Sequence, residues 1–449
     1  MSRRNTPATA SAVVRITTSC LPVVVLLSAS TAAADAVTDW NARAGRAAIA
    51  ACISPADDPL HESRLYAMVH VAIHDALNAI DRRSRPYAYD AQANPATSAD
   101  AAVAAAARDV LVAVIGELPF PDACKQAGIA TTEADYASAL AAIADGVAKT
   151  QGIEVGQAAA AAILALRAGD GSDTPLLDFD YPQGSNPGDY RFTPGFNFVF
   201  APGWANVTPF VLNRPSQFRP GPPYKVSSKR YAADFNEIKT LGGDDVNTPS
   251  ARTADQTEIG LFWLESSPLA WNRLARSVAA SQGLDRWENA RLFGLLNVAM
   301  ADGYIGSWET KFLYNYWRPV TAIHTADSDG NPDTAADPTW TPLQLTYPIP
   351  DYDSAHSVEG GAAAQVLMDF FGTDAIAFSA CSLTLPVGSR CTDLSPVFRS
   401  FSSFSEAAEE NGLSRILVGI HFRYAVEQGI RHGRRIGKRA VNLYMRPVH

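Results

Sequence analysis

The chain has 449 residues, 47% of them hydrophobic and 18% charged, so it can bury a large core and does not have the composition of a disordered segment. Its formal net charge of −9 argues against nucleic-acid binding, which needs a basic face, but leaves room for a small cationic pocket.

The first element in chain order is an export signal. Arg3, Arg4 and Arg15 precede the apolar run LPVVVLLSAS and the small-residue stretch TAAADA, which predicts a signal peptide over residues 1–34 and a secreted or periplasmic mature chain. The apolar run is too short to cross a bilayer, and no later segment is long and apolar enough, so the mature chain is expected to have no membrane span. Four cysteines follow the signal: Cys52, Cys124, Cys381 and Cys391. An even number in an exported chain permits disulfides, and Cys381 and Cys391, flanking a short Pro/Gly/Ser loop, are the expected pair; four free thiols are the alternative.

Helical periodicity begins with RLYAMVHVAIHDALNAI and continues in ADAAVAAAARDVLVAVIGEL and EADYASALAAIADGVAKTQG. His70 and His74 lie one helical turn apart with Asp75 adjacent, a spacing that can hold a transition metal; lacking a third ligand, they are expected to pack in the core. Residues 168–229 are dense in Pro, Gly, Asp and Asn with scattered aromatics, which predicts a long packed covering loop. Helices resume near Tyr231 and include TADQTEIGLFWLES, LAWNRLARSVAASQ and the long DRWENARLFGLLNVAMADGYIGSWETKFLYNYW. After another turn-rich loop, one helix opens at Ser354, and SFSEAAEENGLSRILVGIHF and AVEQGIRHGRRIGKRAVNLYM complete the chain. No strand pattern or internal repeat stands out, so the fold class is all-α, a helical bundle.

Three segments near helix ends carry charge chemistry. In KFLYNYWRP, Lys311 and Arg318 are two helical turns apart on one face, and Pro319 places Arg318 at a helix end. The flanking aromatics point to burial, and buried cations need a counter-charge. In DYDSAHS, Asp353 and Ser354 are both candidate N-caps, and first-turn amides of a helix favour an anion. Gly360 and Gly361 would let another backbone approach. In SRILVGIHFRY, Arg415 and His421 are six apart, so they converge only if the arginine reaches around or the helix bends near Gly419. Singly, each segment has a plain structural reading: a basic edge, a capped helix, a core histidine. Together they offer three cations, a hydroxyl and free amides, the donors that a tetrahedral oxyanion requires, plus two histidines for bonding and proton transfer.

The ordered pattern K-x6-R-P, S-x-H and S-R-x5-H resembles the vanadium-dependent haloperoxidases and their relatives, the type-2 phosphatidic acid phosphatases and bacterial acid phosphatases. HVAIHDALNAI, PGWANVTPFVL, SQFRPGPPY, RTADQTEIGLFW and YNYWRPVTAI resemble the bacterial haloperoxidase branch, so the likeness spans nearly all of the mature chain. It implies two packed helical bundles with long loops over residues 35–449, with the shared core at about 250–445. Lys311, Arg318 and Arg415 would bind vanadate oxygens, Ser354 and the Ala355 amide would add hydrogen bonds, His421 would be the axial vanadium ligand, and His356 the acid–base residue. Trp308, one turn before Lys311, would sit at a halide site or simply in the core. Asp302 would steady an arginine or lie on a helix surface. The implied reactants are hydrogen peroxide and a halide, giving a hypohalous acid equivalent. The same pocket could instead take phosphate and a small phosphate ester through a phosphohistidine, or simply bind an oxyanion without turnover. Nothing in the sequence speaks to oligomeric state. Three positions depart from the family pattern: Asp353-Ser354-Ala355-His356 stands for P-S-G-H, Ala425 stands where many members carry an aspartate four residues after the last histidine, and Ile349 stands where some place an aromatic or histidine.

Overall fold

The computed structural model describes Met1, residues 35–55 and residues 57–448; residues 2–34, which hold most of the expected export signal, lie outside them. Among the described residues are thirteen α-helices. The first five, α1 (Ala36–Ala50), α2 (Pro59–Ile80), α3 (Ala99–Glu117), α4 (Asp122–Ala141) and α5 (Val147–Arg167), pack on one another. They are followed by α6 (Lys229–Leu241), α7 (Ala254–Phe262), α8 (Ser267–Gln282), α9 (Arg286–Tyr314), α10 (Pro319–Thr325), α11 (Ala355–Phe371), α12 (Phe404–Leu417) and α13 (Arg423–Leu443). Helix α2 lies against α3 and α9, and α11 lies against α9, α12 and α13, so one apolar core runs from Val37 to Met445. The only strands among the described residues are two short antiparallel pairs: β1 (Leu177–Asp178) with β2 (Val199–Phe200), and β3 (Phe378–Ala380) with β4 (Arg399–Phe401). No described helix is long and apolar enough to cross a membrane.

Helix α2 is buried on every side from Leu60 to Ile80, which makes its polar residues a problem that they solve among themselves. His74 joins Asp75 through Nδ1 at 2.8 Å and Ser84 through Nε2 at 2.7 Å, while His70 Nε2 meets Asn41 at 2.7 Å. These histidines are core residues, and no described group of acidic, histidine and cysteine side chains could hold a metal ion.

Two segments read as single helices are interrupted. EADYASALAAIADGVAKTQG spans the end of α4 and the start of α5; Gly146 takes φ +150°, and Lys149 Nζ donates to the carbonyls of Leu140 and Ile143 left open at the break. SFSEAAEENGLSRILVGIHF stops being helical at Leu417. Gly419 adopts φ +83°, where a Cβ would also stand 2.5 Å from the Gly242 carbonyl oxygen, so glycine is required twice over. That turn takes His421 off the helix that carries Arg415.

The loop expected over residues 168–229 contains no α-helix before α6 opens at Lys229, and it is pinned to α9. Asp302 of α9 is fully buried and accepts the amides of Phe210, Val211 and Leu212 at 2.6, 2.7 and 2.7 Å. It neither steadies a site arginine nor lies on a surface, because three adjacent loop amides occupy it. Both cysteine pairs form disulfides, Cys381–Cys391 as expected and Cys52–Cys124 in addition.

The contact between α11 and α13 is close enough to exclude side chains. Gly429, Gly433 and Gly437 recur every fourth residue along α13. A Cβ on Gly433 would fall 1.9 Å from the Val358 carbonyl oxygen, and one on Gly361 of α11 would fall 2.4 Å from that of Ile430. Gly361 thus takes the backbone approach expected of the glycine pair, whereas Gly360 faces the Asn411 side chain.

Candidate oxyanion site

Helix α9 ends at Asn315 in the left-handed conformation, and the chain becomes extended at Arg318, the residue before Pro319. Lys311, in the last turn of α9, and Arg318 are both fully buried. Lys311 Nζ donates to the carbonyls of Pro350 and Asp351 at 3.0 and 2.9 Å, holding the segment before α11 and keeping one N–H in hand. Burial and the neighbouring Arg318 charge push its pKa down to about 7. Arg318 spends Nε on Ile349 O at 2.6 Å and Nη1 on Ile420 O at 2.8 Å; its buried Nη2 has no partner.

Ser354 is the N-cap of α11, and its amide donates to Ala425 O at 3.1 Å. Its hydroxyl accepts from Ser357 Oγ at 2.9 Å, which leaves the Ser354 proton free. The Ala355 and His356 amides, in the first turn, find no acceptor among the described groups. Asp353 does not cap the helix; its carboxylate accepts from Ser307 Oγ at 2.8 Å and meets His432 Nδ1 at 2.8 Å.

In the last turn of α12, Arg415 donates through Nε to Ser414 Oγ at 3.0 Å and through Nη2 to Trp263 O at 2.6 Å. Its Nη1 is buried without a partner, and burial lowers its pKa to about 10. His421 follows in the turn. Its Nδ1 lies 2.8 Å from Asp351 Oδ1, and its Nε2 lies 3.0 Å from Arg318 Nη1. Arginine can only donate, so Nε2 carries the lone pair and Nδ1 the proton. Burial first, then the Arg318 charge, holds the His421 pKa well below its ordinary value, and burial raises that of Asp351 to about 7. His356 is also depressed, by burial and then by Arg415, and its buried Nε2 has no partner.

Arg318, Ala355, His356, His421 and Trp308 line one cavity of 290 Å³. Lys311, Ser354 and Arg415 do not line it, and the charges of Lys311 and Arg415 depress both site histidines. Trp308 is buried with its indole N–H unpartnered, and Ile349 and the Ala355 methyl complete the adjoining wall. The alanine that replaces the family's glycine therefore packs among apolar side chains. The buried, unpaired donors on Arg318 and Arg415 are costly unless something accepts from them, and an anion with several oxygens fits them, with the unpartnered His356 Nε2 as a site for a proton.

Sequence reasoning gave no role to Asp351, although it sits in the DYDSAHS stretch. The need of buried cations and a histidine for a carboxylate was the available signal, and Asp351 meets it. Ala425 stands where many members of the resembled family carry a carboxylate, and Asp351 supplies one to His421. The aromatic cavity wall from the 168–229 loop was also missed, because no periodicity marks which loop aromatics turn inward.

Residues 291–449 match the family described as the VCPO second helical-bundle domain. The vanadium chloroperoxidase of Curvularia inaequalis is 26% identical over 286 residues, covering 51% of this chain and 46% of that protein, so the chain matches about half the length of this curated relative. Among solved structures, the first bacterial vanadium-dependent iodoperoxidase superposes with a TM-score of 0.71 at 24% identity, covering 91% of this chain and 95% of that one. An apo-type bacterial vanadium-dependent chloroperoxidase does so with a TM-score of 0.68 at 16% identity, covering 86% and 94%. The chain has the vanadium-haloperoxidase fold, and its residues 291–449 match the model of the VCPO second helical-bundle domain.

Proposed function

We propose that this protein is a vanadate-dependent haloperoxidase-like enzyme that oxidises a halide with hydrogen peroxide to a hypohalous acid equivalent. The observation that carries the reading is the pair of unpaired buried donors Arg318 Nη2 and Arg415 Nη1, with the unpartnered ring nitrogen His356 Nε2, beside the Asp351-held His421. Lys311, Arg318, Ser354, Arg415 and the Ala355 amide would hold vanadate oxygens, with His421 Nε2 as the metal's protein ligand. When bound, vanadate supplies Lewis acidity that activates peroxide toward the halide. Asp351 keeps the proton on His421 Nδ1, so the Nε2 lone pair stays available once Arg318 Nη1 yields it. His356, held neutral by burial, can accept a proton as peroxide enters and return it as water leaves. Lys311 and Arg415 would also balance the oxyanion's charge.

Export fits this reading. Two disulfides suit an oxidising compartment, and the N-terminal signal would take the chain there. If vanadate-loaded protein fails to brominate a phenolic dye with peroxide anywhere between about pH 4 and 8, the range over which a histidine-based proton carrier operates, the reading is wrong.

One observation favours a second reading. The Asp351–His421 pair also suits a nucleophilic histidine: Nε2 would attack phosphorus, His356 would protonate the departing ester oxygen, and water would hydrolyse the phosphohistidine. Hydrolysis of nitrophenyl phosphate without vanadate, and its inhibition by vanadate, would identify this chemistry.

A further inference from the structure

Helices α2, α9 and α11 and the start of α8 bury a second set of titratable groups that the chemistry above does not use. Glu62, Ser266, Ser267 and Tyr304 are each no more than 2% exposed. Among the described residues, Glu62 Oε2, the Ser266 and Ser267 hydroxyls and the Tyr304 phenol oxygen have no hydrogen-bond partner, and neither has either carboxyl oxygen of Glu359. Buried polar atoms left unpaired in such a group are held by ordered water, each molecule bonding to about three of them.

The groups adjoin one another. Ser266 lies beside Glu62 and Ser267 beside Tyr304, in each case without completing a hydrogen bond. A Cβ on Gly303 would stand 2.2 Å from Glu359 Oε1, which places that carboxyl against α9 next to Tyr304. The Glu265 backbone lies beside the His356 ring, and Ser266, Tyr304 and His356 line one cavity. Residues 265–267 therefore adjoin both His356 and Glu62. Of the carboxylates facing Glu62, Glu265 is taken by Arg273 Nη1 at 2.8 Å and Asp58 by His61 Nδ1 at 2.6 Å. The Tyr66 and Tyr304 phenols also face it. Burial raises the Glu62 pKa to about 7, against the pull of the Ser266 and Ser54 hydroxyls and with the Glu265 and Asp58 charges adding to the rise.

We propose that Glu62 is the proton donor that refills His356, through Ser266 and ordered water, during halide oxidation. The delivery rests on the haloperoxidase reading. In that reaction the halide gives up two electrons to peroxide, the O–O bond breaks, and one proton is consumed for each hypohalous acid and water formed. His356 cycles a proton but adds none, so one must arrive at every turnover. Glu62 supplies it as its carboxyl O–H bond breaks, and the carboxylate takes a replacement from solvent before the next cycle. Tyr304 and Glu359, kept protonated by burial, pair with the intervening water without carrying charge.

Infrared titration of vanadate-free full-length protein reads the donor directly. A carboxylic-acid carbonyl component lost as pH rises through about 7 is expected in the unaltered protein and missing from E62Q, which keeps a second such component from Asp351. No component that E62Q removes overturns the proposal. With vanadate, peroxide and bromide, kcat should fall as pH rises through about 7, because Glu62 then holds no proton to give. E62Q should lower kcat by about 100-fold on the acid side and abolish that fall, and E62D, which keeps an acid, should restore it. KM for bromide should change less than about twofold. S266A should keep the Glu62 infrared component and still slow turnover. Unchanged phosphate affinity by calorimetry reports that each variant is folded. An unaltered kcat in E62Q or S266A, or an equal loss at every pH in E62Q, overturns delivery by Glu62. Absence of bromination by the unaltered protein removes the haloperoxidase reading and the delivery with it, whatever the infrared result.

Discussion

At the scale of single residues, the site depends on how a buried histidine and buried cations are held without an anion. Asp351 takes His421 Nδ1 at 2.8 Å, so D351N should let the ring turn and lose its fixed tautomer. Vanadate affinity should fall by about 10- to 100-fold, as for other residues that orient a metal ligand. Nitrogen NMR of His421 in the ligand-free protein would show mixed tautomers in the variant, which a purely packing role would not produce. Lys311 gives a pH prediction. Its pKa of about 7 lies below the unfolded value of 10.5, so between these limits the unfolded chain binds more protons and stability rises with pH. Below about pH 7 the buried ammonium is charged and that contribution is absent. An oxyanion favours the ammonium, so binding above pH 7 must bring a proton in. Phosphate should therefore raise the melting temperature more at pH 6 than at pH 9, and K311M should flatten the part of this slope not due to phosphate's own ionisation. Lys311, Arg318 and Arg415 were singled out in the sequence by their ordered pattern and the family resemblance it carries, and all three are buried in the structure. Asp351 was not, because its role arises only when the turn at Gly419 brings residue 421 back onto the segment before α11.

At the scale of elements, the approach of α11 to α13 fixes the S-A-H turn. Gly429 lies under Ser354, where a Cβ would be 2.7 Å from the serine carbonyl oxygen, and Gly433 lies under Val358 one turn on. G433A should push the helices apart and cost about 1–3 kcal/mol in denaturant unfolding, the usual range for overpacking. Weaker phosphate binding should accompany it, since the shift is delivered to the residues that cap α11. Helix positions were readable from periodicity wherever one face is apolar. Breaks were harder: alanine-rich α4 and α5 share one pattern across the interruption, and only Gly146 marks the break. At the end of α12 the apolar pattern runs on through Val418, Ile420 and Phe422, and only Gly419, where the sequence allowed a bend, marks the stop.

At the scale of the whole molecule, two disulfides close loops of very different length. Cys52–Cys124 spans a separation of 72 residues and Cys381–Cys391 one of 10. Loop-closure entropy then gives about 4 and about 3 kcal/mol respectively. Replacing the first pair by serine should lower the melting temperature more than replacing the second, as scanning calorimetry would show. The architecture was legible as an all-α bundle, whereas the packing of α2 on α9 was not, since a helix buried all round has no polar face to orient it. The aromatic cavity has one more consequence. On the haloperoxidase reading, an electrophilic halogen species released in the cavity meets a lining that includes Trp308, Tyr304 and Tyr347, rings that react with it. A guest in the cavity would intercept it first. The protein's working life would then be counted in turnovers rather than in hours, short when it runs empty and long when an acceptor is present, with chemical scars accumulating on its own walls as the record of idle cycles.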